Sequence, residues 1–217
     1  MKEHGLLLTA PMALARHERR KTQTRRLVSP YNSTIDGKRP GKRGLPDLYR
    51  SDNTVRVLDD GKQASWLSVI DPFENEAVFV KPAIQPGERI WWRETWCWSG
   101  ERKELLPGDP VFRSEGAACI DGWRSSLHMP RWAARHVDTV VRVRPERIQD
   151  ISEEDALAEG IIRYEPTAED DAEYSHTQGG FVYASAVEAY RSLFININGP
   201  EAWERNDWVW VYEWKLD

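Results

Sequence analysis

His17-Glu18-Arg19-Arg20-Lys21-Thr22-Gln23-Thr24-Arg25-Arg26 concentrates positive charge. Counted from Arg16, it holds six Lys/Arg residues against one acid, in a chain of 217 residues whose formal net charge is -5. Such a patch calls for an anion. Two threonines and a glutamine interrupt it, and these side chains hydrogen bond well to a phosphate, a sugar or a base edge. A basic helix end followed by an exposed strand is the competing reading of the same charges.

The flanks of this stretch give it a frame. Upstream, Leu6-Leu7-Leu8 has the length of a buried strand, Pro11 suits the first turn of a helix, and Met12, Ala13, Leu14 and Ala15 carry that helix into Arg16. Thr22, Thr24, Leu27 and Val28 favour extended structure, so Lys21 falls where helix hands over to strand. In a regular strand Lys21 and Thr24 would point to opposite faces, and a turn or bulge is needed for them to share a pocket.

Farther out, the chain from about residue 29 to 76 is broken by Pro and Gly and reads as a long loop or insertion, with a short strand at Ala77-Val78-Phe79-Val80. A turn at Pro86-Gly87-Glu88 leads into a strand from Arg89 to Trp96, in which Glu94 is expected to be salt-bridged to a neighbour such as Arg93. A second insertion spans about 99 to 124, followed by a compact loop carrying His128, Arg131 and Trp132. From His136 to Arg144 the chain alternates, which places Val137, Thr139, Val141 and Val143 on one face. Ser152 caps a short helix closed by Gly160, so Glu159 lies in its last turn, where the negative end of the helix dipole disfavours a carboxylate. An acidic loop covers about 163 to 180, a helix runs from Ser185 to Ile197, and a terminal strand from Trp208 to Trp214. Strands outnumber short helices, and the expectation is a single α+β domain over 1–217: a compact, mainly antiparallel β-barrel with helices packed outside.

Composition narrows the function. Hydrophobic residues at 40% and charged residues at 30% fit a globular chain, and no apolar run reaches the roughly 18 residues of a membrane span. The N-terminal apolar segment is too short for a secretory signal, so a cytoplasmic location and no membrane partner are expected. Cys97 and Cys119 have neither CxxC spacing nor paired histidines; both are read as free thiols, with no metal and no cofactor. Eleven tryptophans are an unusual number, and most belong in the core. Beside a basic patch a minority can stack on bases, and Trp91, Trp96 and Trp132 are the candidates.

Arg20-Lys21-Thr22-Gln23-Thr24-Arg25-Arg26, Pro86-Gly87-Glu88-Arg89-Ile90-Trp91, Arg93-Glu94-Thr95-Trp96, Leu127-His128-Met129-Pro130-Arg131-Trp132, Ile151-Ser152-Glu153-Glu154-Asp155-Ala156 with Ala158-Glu159-Gly160, and Trp208-Val209-Trp210-Val211 occur in that order. Together they resemble the ASCH domain family, in particular its bacteriophage and prophage branch. The resemblance implies a PUA-like β-barrel, a fold used to bind RNA and modified nucleosides. The family includes suspected RNA binders and small enzymes that remove the acetyl group from N4-acetylcytidine. Its enzymes use a lysine, a threonine three residues on and a glutamate in the later helix, positions that read Lys21, Thr24 and Glu159 here. These relatives usually have glycine before the Arg-Lys pair, where this chain has Arg19; a left-handed helix end there costs roughly 1 kcal/mol more than with glycine.

Two functions follow as expectations. Hydrolysis of an exocyclic amide needs a nucleophile, a base and an acid for the departing amine. Thr24, Lys21 and Glu159 are the catalytic candidates, with an ordinary Lys21–Glu159 ion pair as the competing reading. The alternative is a non-catalytic reader of RNA, nucleotide or modified nucleoside through Arg20, Arg25, Arg26, Trp91, Trp96, His128, Arg131 and Trp132.

Overall fold

The computed structural model describes residues 1–29, 33–35, 55–59, 65–70, 77–98, 110–119, 122–166 and 172–216. In chain order these form β1 (Glu3–Leu7), α1 (Ala10–His17) and β2 (Gln23–Leu27), then β3 (Ser33–Ile35), β4 (Val55–Asp59), β5 (Ser65–Ile70) and β6 (Ala77–Pro82). There follow β7 (Arg89–Arg93), β8 (Trp96–Trp98), β9 (Pro110–Phe112), β10 (Val137–Arg147) and α2 (Glu153–Ala158). The chain ends with β11 (Ile162–Tyr164), β12 (Glu173–Ser175), α3 (Ala186–Asn198), α4 (Pro200–Glu204) and β13 (Trp208–Trp214).

The central sheet has the order β1-β7-β10-β13-β2, with β1 parallel to β7 and the other pairs antiparallel. In β13, Val209 to Tyr212 are all buried, so this strand is covered on both faces, which a run of apolar and aromatic residues allows. Ile90, Trp92, Val140, Val143 and Trp210 join Leu193 and Phe194 of α3 and Met12 of α1 in one core. Among the described residues no ladder joins the edges β1 and β2, but the edges approach each other. The connection through α1 is short, and Arg26 Nη2 of β2 donates to the Leu7 carbonyl of β1 at 2.6 Å. The fold is α+β and strand-rich. No helix among the described residues is long and apolar enough to cross a membrane.

Several expectations are corrected. Residues 29–76, read as a long loop or insertion, are not all loop: they supply β3, β4 and β5, which with β6 form a second sheet ordered β3-β6-β5-β4. Val55-Arg56-Val57 and Ser65 to Ile70 carry strand-forming residues that the surrounding Pro and Gly obscure. In β10 the expected face does not persist: a bulge between Val140 and Arg142 inverts the alternation. Asp138 and Val140 before it, and Val143 and Pro145 after it, are the inward residues, while Thr139 is exposed. Cys97 and Cys119 are not free thiols but a disulfide, with their Cα atoms 6.4 Å apart. Pairing of β8 with β9 turns the second insertion back on itself and delivers Cys119 to Cys97. Glu94 is buried and paired, yet with Arg135 rather than Arg93; Arg135 Nε and Nη2 donate to its two oxygens at 2.8 and 2.9 Å. The segment read as an acidic loop over about 163 to 180 contains most of the paired strands β11 and β12.

Candidate functional site

Lys21 escapes strand alternation because it lies before β2, in a turn. The turn is made by Arg19, whose φ of 65° is the left-handed helix end that the resemblance implied there. The amides of Arg20 and Lys21 then both donate to the Ala15 carbonyl. The next residue docks α2: Thr22 N–H donates to the Ala158 carbonyl at 2.8 Å. Ser152 caps that helix, its hydroxyl accepting from Asp155 N–H at 3.1 Å.

This docking puts Lys21 against Glu159, 138 residues away. Lys21 Nζ donates to Glu159 Oε2 at 2.6 Å and to the Glu159 carbonyl at 2.8 Å, with both residues almost wholly buried. The ammonium therefore meets both the carboxylate and the negative end of the helix, which offsets the unfavourable position of Glu159. Burial pushes the Lys21 pKa down, and the Glu159 charge opposes that shift.

Arg25 sits beside this pair with all its charge taken. Its Nη1 donates to Glu159 Oε1 at 3.2 Å, its Nε and Nη2 to Glu146 Oε1, and its Nη2 to Asp155 Oδ2 at 2.6 Å. Burial would lower its pKa, but Glu159 and Glu146 hold it above the ordinary arginine value. Arg144 Nη2 continues the network to Asp155 at 2.6 Å and to Glu146 at 3.1 Å, and Arg144 also pairs with Glu213. Asp155 is held below the usual carboxylate value: burial acts upward, and Gln23, Arg25 and Arg144 outweigh it.

A cavity of about 410 Å³ opens over these groups. Lys21, Thr24, Arg26 and Glu159 are among its polar lining residues, and Leu193, Phe194 and Ile197 of α3 among its apolar ones. The three residues expected to be catalytic thus line one cavity. Tyr190 also lines it, with its pKa raised well above the ordinary value by burial, and the sequence did not single it out. Asn198 is a second lining residue missed in the sequence. The Arg144-Pro145-Glu146 alternation did place two charges on one side of β10, a signal that goes unnoticed when the strand is read for its valines alone.

The residues expected to bind nucleic acid divide. Arg26 lines the cavity. Arg20 does not: its Nη1 donates to the Gly160 carbonyl at 2.7 Å and its Nε and Nη2 to Glu18. The Trp91 ring lies across Gly5, where an added Cβ would stand 2.6 Å from it, and is not part of the cavity. Trp96 is buried in a separate cluster with Phe112, Met129 and Ala133. Trp132 is 53% exposed, stacks on Trp98 with ring centres 4.9 Å apart, and meets Trp96 edge-on. His128 is exposed, and Arg131 is held by Glu3 at 2.6 Å. Thr95 and Ser126, which border this aromatic group in the chain, line the cavity. No protein-family model, curated protein or solved structure matches the chain.

Proposed function

We propose that the cavity recognises a modified nucleoside and hydrolyses an acyl group from an N4-acetylcytidine-like base, within an ASCH-like, PUA-like domain acting in the cytoplasm. The approach of β1 to β2 through Arg26 and the Leu7 carbonyl supports barrel-like curvature. The observation that carries the chemistry is the Lys21 amine, 2.6 Å from the Glu159 carboxylate, in a cavity that Thr24 also lines.

A neutral lysine amine has two N–H groups and one lone pair. Its two acceptors here, both on Glu159, account for the two N–H groups and leave the lone pair to accept a proton in the cavity that Thr24 also lines. Lys21 rests as the ammonium paired with Glu159, and burial lowers its pKa against that carboxylate, which brings the neutral form the reaction draws on within reach. In the proposed reaction Lys21 takes the Thr24 hydroxyl proton as the threonine oxygen bonds to the acyl carbon. The C–N bond then breaks, the same proton goes to the departing exocyclic amine, and water hydrolyses the acyl-threonine. Glu159 is a positioning residue, because both of its oxygens are already occupied by Lys21 and Arg25.

The test is incubation with a panel of N4-acylated cytidines, read by mass. Thr24→Ala is expected to lower kcat at least about 100-fold with little change in KM. A protein that binds these nucleosides and releases no cytidine supports instead the non-catalytic reading, which the saturated Lys21–Glu159–Arg25 network favours.

A further inference from the structure

The ion network around the cavity is fully paired except at one member. Glu159 serves Lys21 and Arg25, Glu146 and Asp155 serve Arg25 and Arg144, and Glu213 serves Arg144. Arg26 touches no carboxylate among the described residues. Its Nη2 donates to the Leu7 carbonyl, and its Nε is buried without an acceptor. A cationic N–H buried without an acceptor, as at Arg26 Nε, is costly, and a guanidinium offers a planar fork suited to phosphate or carboxylate oxygens. Leu193, Phe194 and Ile197 line the same cavity and offer no charge, so Arg26 is the lining cation without a carboxylate partner among the described residues.

From this we infer that Arg26 is the receptor for an anionic oxygen group on the ligand, and that the cavity takes the 5′-phosphorylated nucleoside in preference to the free nucleoside. This rests on the nucleoside reading of the cavity. It also narrows the basic stretch: of Arg20, Arg25 and Arg26, only the last is available to an external anion.

Calorimetric titration with cytidine and cytidine 5′-monophosphate tests it. The monophosphate is expected to bind at least about tenfold tighter. The log–log slope of its affinity against salt should be near the value for one phosphate contact, about −0.7 to −0.9, and not the roughly threefold larger value of three free arginines. In Arg26→Gln the ratio of the two affinities should fall to within about twofold, and Arg26→Lys should restore part of it. Equal binding of both ligands by the wild type, or an unchanged ratio in a cooperatively melting Arg26→Gln, overturns the inference. Should Arg26→Gln fail to fold, the wild-type ratio and salt slope together with Arg26→Lys decide. Hydrolysis of N4-acetylcytidine with no advantage for its monophosphate would remove the phosphate site and leave the proposed function standing. Binding of inorganic phosphate that depends on Arg26, with no binding of either cytidine compound, would keep the anion site and remove the nucleoside reading.

Discussion

Gly160 packs against Ala15 so closely that a Cβ on the glycine would stand 2.7 Å from the Ala15 Cβ and 3.3 Å from the Lys21 Cβ. Its φ of 104° is also a conformation that side-chain-bearing residues rarely adopt. This contact is what lets the end of α2 carry Glu159 onto Lys21. Gly160→Ala is therefore expected to cost about 2–4 kcal/mol, combining backbone strain with overpacking. Urea denaturation measures it, and a loss below about 1 kcal/mol would show that the α1–α2 contact is looser than described.

Glu159 joins Lys21 and Arg25, and its removal leaves Lys21 without its carboxylate partner, while Arg25 keeps Glu146 and Asp155. Glu159→Ala should lose about 3–5 kcal/mol, the usual consequence of breaking one partner out of a buried pair. Glu159→Gln should lose less, since an amide oxygen still accepts a hydrogen bond. Equal stability of wild type and Glu159→Ala in chemical denaturation would mean that Lys21 is neutral and Arg25 is satisfied by Glu146 and Asp155.

Cys97 and Cys119 close a loop with a sequence separation of 22. Peptide mapping without reductant should find them linked, and reduction should lower stability by about 3 kcal/mol through the freed chain entropy. In a reducing compartment the same pair would stand as two thiols, so the measurement belongs in both buffers. Cys97→Ser that melts like the oxidised wild type would contradict the contribution of the link.

His136 has its pKa lowered to about 4, first by burial and then by Arg16, Arg135 and His17, with Asp138 acting the other way. The unfolded chain protonates this histidine near pH 6.5 and the folded chain near 4, so the unfolded state binds more protons in between. Stability is then full above about pH 6.5 and declines as pH falls towards 4. Arg16 is itself bound to Asp138 at 2.7 and 2.5 Å, which fixes its charge near the imidazole. His136→Gln should show a smaller decline over that window in pH-dependent melting. An identical pH profile in the two proteins would place the lost stability on other groups.

The left-handed turn at Arg19 came from the resemblance, whereas local signals in the sequence determined the strands at Arg89 and Trp208, the helix capped by Ser152 and the helix that begins at Ser185. Each depends on residues within a few positions of one another: alternation, helical spacing, a capping hydroxyl or a backbone constraint. Resemblance singled out Lys21, Thr24 and Glu159, and the last turn of α2 marked Glu159 as needing a partner. Only the tertiary structure decided which partner each charge found. Arg25 was legible as basic, but not as already neutralised by Glu146, Asp155 and Glu159, because that pairing joins β2 to β10 and α2 across more than a hundred residues. Glu94 likewise found Arg135, not adjacent Arg93, once β7 and β10 paired. The bulge at Val140 and Arg142 reversed the inward face of β10, a change set by register against β13 that alternation within one strand cannot contain. Periodicity is a property of a segment, whereas burial, ion pairing and the cavity lined from β2, Glu159 and α3 are properties of which segments the chain brings together.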